Sequence, residues 1–343
     1  LMGDCLDGLR SLPDGCVQAC VTSPPYYGLR DYGNAAQIGQ EPSPREFVDA
    51  LVAVFAEVRR VLADDGTCWV NLGDSYAANT KGTGGTGKSG LQRDGRPEAT
   101  RQRGAIAASQ RQSFAPRRFD IDVKPKNLLG IPWRVAFALQ DAGWYLRSDI
   151  IWAKPNPMPE SVTDRPTRAH EYVFLLTRRE RYFYDAGAIK EPSIYGAHHA
   201  KYQGTYTRHK TESLQVNGAQ NGSNYQNGLQ RAAVDPMNKN ARSVWSINTE
   251  PFDGAHFATM PPELARRCIL AGSRKGDVVL DPFGGSGTTA REALAHHRRA
   301  LLCELNPEYA ALMPQRMADV DTDVAAPIAV PAADFGPLFG GAR

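Results

Sequence analysis

Val278-Val279-Leu280-Asp281-Pro282-Phe283-Gly284-Gly285-Ser286-Gly287-Thr288-Thr289 is the stretch that decides the fold. Apolar β-formers end in an acid, a glycine-rich turn follows, and a helical run occupies 289–297. The pattern predicts strand, turn and helix. Glycines allow the chain to turn sharply and approach a ligand closely, because no Cβ stands in the way. The start of the helix offers free N–H groups to a negative group. A second strand, 299–303, ends in Glu304, twenty-three residues beyond Asp281. An acid at about that offset is placed to hold ribose hydroxyls. The glycines alone would also suit a tight turn without a ligand; the acid closing each strand favours a ligand site.

The loop is not a phosphate-binding P-loop, since Gly287 rather than Lys precedes Thr288, and no G-x-G-x-x-G can be laid over it. A nucleoside with a short zwitterionic tail suits it better than a pyrophosphate, and S-adenosylmethionine meets that description. Upstream, Met260-Pro261-Pro262-Glu263 starts a helix through 270, preceded by a short strand at 244–247.

A second strand end stands near the start of the chain. After Asp4 and an amphipathic stretch at 5–12, residues 17–21 form a short strand that runs into Thr22-Ser23-Pro24-Pro25-Tyr26. Two prolines cannot continue a sheet, because they donate no ladder hydrogen bond. They make a rigid, acceptor-rich corner ending in an aromatic ring. Ser43, Pro44 and Glu46 then mark the start of a helix, whose apolar positions are Phe47, Leu51, Val54, Phe55, Val58 and Leu62. Asp64-Asp65-Gly66 is expected to end it. Further strands are expected at 67–72, 146–153, 171–177 and 182–186, and a helix at 127–142. Strands alternating with helices predict a mostly parallel α/β sheet. Ligands on such sheets bind beyond the carboxyl ends of the strands, where the glycine loop and the Pro-Pro corner would meet.

At 343 residues, 42% of them apolar, the chain can bury one large core or two modest ones. No apolar run approaches the length of a membrane span, and residues 1–7 show no secretory leader. Six cysteines without a C-x-x-C are expected to be reduced core thiols, and no metal site is expected. The net charge of +3 hides an asymmetry. Residues 78–126 carry eleven Lys and Arg against four Asp and Glu, and 193–245 carry six against two. Positive charge is thus concentrated in two polar insertions on an acidic body, a pattern that suits a polyanionic partner as well as two solvated loops.

Together these residues resemble the DNA amino-methyltransferases, which methylate the exocyclic amine of cytosine or adenine. Ser23, Pro24, Pro25 and Tyr26 resemble the catalytic tetrapeptide of that family, with Thr22 before it. Asp281, Pro282, Phe283, Gly284, Gly285, Ser286, Gly287, Thr288 and Thr289 resemble its S-adenosylmethionine loop. Glu304 resembles the ribose-binding acid, Met260 begins the helix that meets the methionine part of the cofactor, and Asp4 resembles the polar residue near the adenine. The catalytic motif precedes the cofactor loop, as in the permuted β group.

The resemblance implies a Rossmann-like, circularly permuted methyltransferase fold with an inserted DNA-recognition region. Residues 1–153 would form the catalytic half, 154–250 the recognition region, 251–317 the cofactor-binding half and 318–343 a peripheral tail. Duplex DNA is the implied partner, with a cognate restriction nuclease beside it. Arg117, Arg118, Lys124, Lys126 and Lys154 are nominated as DNA contacts, and the chain would act in the cytoplasm as a monomer or homodimer. Ser at position 23 favours cytosine N4 over adenine N6. No cysteine follows a proline, so a C5-cytosine nucleophile is lacking. The rival readings are a protein or small-molecule N-methyltransferase, and a nucleic-acid-binding protein that has lost catalysis.

Overall fold

A computed structural model describes residues 1–29, 37–77, 123–193, 238–250, 260–318 and 320. Most of the two basic insertions and of the expected tail lies outside the described residues. In chain order the elements are α1 (Cys5–Arg10), β1 (Val17–Thr22), α2 (Pro44–Val61), β2 (Leu62–Leu72), α3 (Ile131–Asp141), β3 (Tyr145–Ala153), β4 (His170–Thr177), β5 (Glu191–Pro192), β6 (Asn238–Lys239), β7 (Val244–Ser246), α4 (Pro262–Gly272), β8 (Val278–Asp281), α5 (Thr288–Ala295), β9 (Arg299–Leu302) and α6 (Pro307–Met317). The chain divides into two units, one of Leu1–Tyr184 with Ser243–Arg343 and one of Asp185–Arg242. The region expected at 154–250 is therefore split between them. Within the smaller unit β5 and β6 form an antiparallel pair, and Arg242 Nε lies 3.0 Å from Glu191 Oε2.

The larger unit is built on a seven-stranded sheet in the order β7-β3-β4-β2-β1-β8-β9. Six strands run one way; β4 runs antiparallel to both of its neighbours, β2 and β3. The reason is local. Residues 154–169, between β3 and β4, contain no helix, and a parallel return would need a crossover long enough to cross the sheet. The central strands are apolar on both faces, as helix-covered strands require: every residue of β8 is buried, and so are Cys20 and Val21 of β1 and Trp69 and Val70 of β2. Helix α2 covers one face. Its start is a capping box in which Ser43 Oγ accepts from Glu46 N and Glu46 Oε2 accepts from Ser43 N. It buries Phe47, Leu51, Val54, Phe55 and Val58 completely, each worth about 1.5–3 kcal/mol of burial free energy.

Three expectations change. Helix α2 runs directly into β2 at Leu62, and the sequence 64–66 is a bulge within the strand, where the register shifts between Val17/Leu62 and Ala19/Thr67. The expected strand at 182–186 is absent. Phe183 N donates to Asp65 O at 2.8 Å, but Asp65 sits in that bulge, which offers no ladder to extend. Helix α3 starts at Ile131 rather than 127, because Gly130 adopts φ +70° and the Asp74 carboxylate caps the helix, accepting from Gly130 N and Ile131 N.

The carboxyl ends of β1, β2, β3, β8 and β9 lie along one edge of the sheet. The register places the first residue of β4 there too, His170 opposite Ala153 and Tyr172 opposite Leu72. That edge carries both sequence motifs.

Candidate active site

The glycine loop is held by two carboxylates. Asp281, only 4% exposed, accepts from Thr22 Oγ1 at 2.6 Å and Phe283 N at 3.0 Å through Oδ1, and from Thr289 Oγ1 at 2.8 Å through Oδ2. Thr289 Oγ1 also reaches Val21 O at 3.2 Å. These bonds lace the ends of β1 and β8 together, so the residue before the Pro-Pro corner is tied to the loop. Burial pushes the Asp281 carboxyl above its ordinary range, against the pull of the two hydroxyls and the Phe283 N–H.

Glu304 accepts from Gly285 N at 2.6 Å and from Asn306 N at 2.8 Å. Burial raises its pKa as well, with these N–H groups opposing. Gly285 and Gly287 take positive φ, and a Cβ on Gly284 would stand 2.8 Å from Leu302 Cδ2. The loop therefore needs these glycines for its turn and for its approach to β9. On the far side, Gly3 N donates to Glu304 O at 2.9 Å, and Asp4 caps α1 through Leu6 N at 2.8 Å, which brings both residues to the wall of the site.

Opposite the loop stands the corner. The Tyr26 ring lies on Gly73, where a Cβ would come within 2.6 Å of Cε2. Tyr26 Oη donates to Glu171 Oε2. Asn71 Nδ2 lies 3.0 Å from Tyr26 Oη, 3.0 Å from Glu171 Oε2 and 3.5 Å from Ser23 Oγ. Lys154 Nζ donates to Glu171 Oε1 and sits 4.3 Å over the Trp152 ring, whose Nε1 donates to Ile247 O at 2.8 Å.

Both motifs line one cavity of about 550 Å³, within the size range of small-molecule sites. Ser23, Pro24, Pro25 and Tyr26 face it together with Asp4, Met260, Asp281, Pro282, Phe283, Gly284, Gly285, Ser286, Thr288, Thr289 and Glu304. Thr22 and Gly287 stand behind this lining: Thr22 serves the Asp281 clasp, and Gly287 packs against Met313. Among the described residues the charged lining is almost wholly acidic, with Asp4, Glu171, Glu250, Asp281, Glu304 and Glu308 against the single cation Lys154, itself paired with Glu171. A polyphosphate would be repelled here, whereas a positively charged nucleoside fits.

The nominated DNA contacts fall in three places. Arg117 and Arg118 lie outside the described residues. Lys124 and Lys126 are exposed, and Lys126 Nζ is 2.7 Å from Asp164 Oδ2. Lys154 is a wall of the cavity rather than a surface group. Sequence reading missed Asn71, Gly73 and Glu171. A trace was present, since Asn71 interrupts the apolar run Trp69-Val70-Asn71-Leu72 and Glu171 heads another, and a polar residue in a buried strand calls for a partner. Among the described residues no His/Cys/Asp/Glu cluster suits a metal ion, and no helix is long and apolar enough to cross a membrane.

A mostly parallel sheet with a glycine loop and an acceptor-rich corner facing one cavity defines the class, a Rossmann-like methyltransferase. Residues 17–315 match the model of the N6/N4 methyltransferase family, described as DNA methylase, and the chain belongs to that family. Its cofactor is S-adenosylmethionine. The chain is similar to the type II methyltransferase M.XycI of Xanthomonas campestris pv. cyanopsidis, 45% identical over 324 residues that cover 94% of this chain and 88% of that protein. In fold it resembles the PvuII DNA methyltransferase (cytosine-N4-specific), with a TM-score of 0.57 at 18% identity over 94% of this chain and 86% of that one. It also resembles a DNA modification methylase from Thermus thermophilus complexed with S-adenosyl-L-methionine, with a TM-score of 0.51 at 24% identity over 92% and 91%.

Proposed function

We propose that this chain methylates the exocyclic N4 amine of cytosine in duplex DNA, as the modification enzyme of a restriction–modification pair. The observation that carries the reading is the shared cavity: Ser23 and Pro24 face the same space as the glycine loop. Asp4, Met260, Phe283, Gly285 and Glu304 would hold S-adenosylmethionine, which when bound supplies an electrophilic methyl group on a sulfonium. The type II relative at 45% identity supports the assignment to DNA.

The residues of the corner meet the chemical demand of the reaction. An aromatic amine is a poor nucleophile, because its lone pair is delocalised into the ring. Ser23 Oγ and the Pro24 carbonyl would accept its N–H groups, favour a pyramidal nitrogen and share the positive charge that develops there. The two prolines keep these acceptors in place beforehand, which limits reorganisation. Tyr26 would stack on the base, which must leave the duplex to arrive. The basic insertions at 78–126 and 193–245 would hold the DNA backbone, and the region 154–250 would read its sequence. Methyl transfer to unmethylated duplex DNA, followed by digestion to nucleosides and chromatography, tests the reading. N4-methylcytosine is expected. N6-methyladenine would replace the base assignment, and no methylated nucleoside would overturn the function.

A further inference from the structure

The ion pair of Lys154 and Glu171 is unusual in its position. Both side chains are mostly buried, 18% and 13% exposed, yet they form part of the wall of the cavity. Burying an ion pair costs desolvation that the attraction of the pair often fails to repay, so stability alone is a weak reason for it. The bonds it makes suggest a different one. Oε1 of Glu171 takes Lys154, and Oε2 takes the Tyr26 hydroxyl together with the Asn71 amide. A carboxylate cannot donate, so Asn71 must turn its NH₂ toward Glu171, and the same NH₂ then lies within reach of both Tyr26 Oη and Ser23 Oγ.

We infer that Glu171, oriented by Lys154 and Asn71, is a positioning residue that fixes the plane of the Tyr26 ring, on which the target base stacks. The inference rests on the reading of Tyr26 as the base-stacking residue. A tyrosine on a corner loop is otherwise free to turn about two side-chain torsions. Here the ring is clamped at both ends, against Gly73 below and by its hydroxyl on Glu171. Glu171 stands 145 residues from Tyr26 in sequence. It reaches the corner because β4 is antiparallel, which puts the start of that strand at the edge where β1 and β2 end. A parallel strand at that place would bring its last residues there instead. A platform fixed before the base arrives leaves less to be ordered in the reaction, so the gain belongs in the rate of transfer rather than in cofactor binding.

Four proteins test this with unmethylated plasmid DNA and radiolabelled cofactor, both saturating, under single turnover. They are the wild type, Tyr26→Phe, and two neutral pairs, Glu171→Gln with Lys154→Met and Glu171→Leu with Lys154→Met. Tyr26→Phe keeps the ring and loses only the tether, and a drop of about 5- to 10-fold in rate is expected, the size of one lost hydrogen bond. The Leu pair should fall by a similar factor. The Gln pair, which keeps an acceptor for the hydroxyl, should recover most of the rate. Adding Tyr26→Phe to the Leu pair should slow it no further, since both changes cut the same link. Cofactor affinity by titration calorimetry should stay within twofold throughout. A multiplicative loss in the combined variant would overturn the inference, because Glu171 would then act by another route. Should the paired variants fail to fold, Tyr26→Phe decides alone, and a wild-type rate there overturns the tether. Tyr26→Ala separates the two levels: slow Tyr26→Ala beside normal Tyr26→Phe leaves the stacking role standing and removes only the tether. A wild type that transfers no methyl group overturns the functional reading, and the inference with it.

Discussion

In the glycine loop, carboxylates accept from backbone N–H groups: Phe283 N on Asp281, Gly285 N and Asn306 N on Glu304. In the corner, side chains bind side chains: Tyr26 and Asn71 on Glu171, with Lys154 behind them. The contrast follows from what each half must do. A backbone cradle has no side-chain torsions to order, which suits tight holding of one invariant cofactor. A side-chain platform sets the orientation of a ring, which suits a base that enters and leaves. The loop should therefore fail in binding and the corner in rate.

The largest effect is expected at Ser23. If its oxygen stabilises charge that develops on the amine, Ser23→Ala lowers the single-turnover rate by about 10²- to 10³-fold and leaves cofactor affinity nearly unchanged. A folded Ser23→Ala enzyme with wild-type rate would reduce the corner to architecture.

Glu304→Ala breaks the other half. It removes the carboxylate that holds Gly285 N and that would hold the ribose, so cofactor affinity should fall by about 1–3 kcal/mol. Calorimetric titration with S-adenosylmethionine measures it. An unchanged dissociation constant would detach Glu304 from the cofactor.

Neither half should depend on the basic insertions. Neutralising Arg117, Arg118, Lys124 and Lys126 should weaken DNA binding and flatten its salt dependence by about one unit of log–log slope for each phosphate that is no longer neutralised. Cofactor affinity should not move. A salt slope equal to that of the wild type would exclude these residues from the interface.

The smallest effect is a pH dependence confined to the loop. Burial raises the carboxyl pKa of both Asp281 and Glu304 in the folded chain, so the folded state holds their protons more tightly than the unfolded chain does. Their stabilising contribution is complete below the unfolded pKa, about 4. It is lost as pH rises through the folded value. Glu304→Gln removes one of these titrations, and its melting temperature, measured without cofactor, should decline less than that of the wild type above about pH 4. Parallel curves for the two proteins would contradict the assignment. Cofactor affinity of the wild type should rise over the same interval, because the ionised carboxylates favour a cationic ligand.

Much of the loop could be read from sequence because its structure is local. Val278–Asp281 had to be a buried strand, the glycines had to turn, and Glu304 had to return at the end of the next strand. Pairing of β8 with β9 at Val278/Arg299 through Asp281/Leu302 puts those acids side by side. The Pro-Pro corner was also legible, since no ladder can pass two prolines. Its support was not. Asn71, Gly73 and Glu171 are ordinary residues at strand ends, and nothing near them in sequence says which strand they will face.

The sequence by itself thus determined the elements, the two motifs and their shared edge, because periodicity, glycine and proline act over a few residues. Tertiary structure decided the rest. The helix-free connection from Ala153 to His170 turned β4 antiparallel and seated it between β2 and β3. That one reversal carried Glu171 to Tyr26 and took Lys154 from the expected DNA surface into the cavity wall. Side-chain networks of this kind depend on strand order and register, which are set by the global packing of the sheet, and no local signal encodes them.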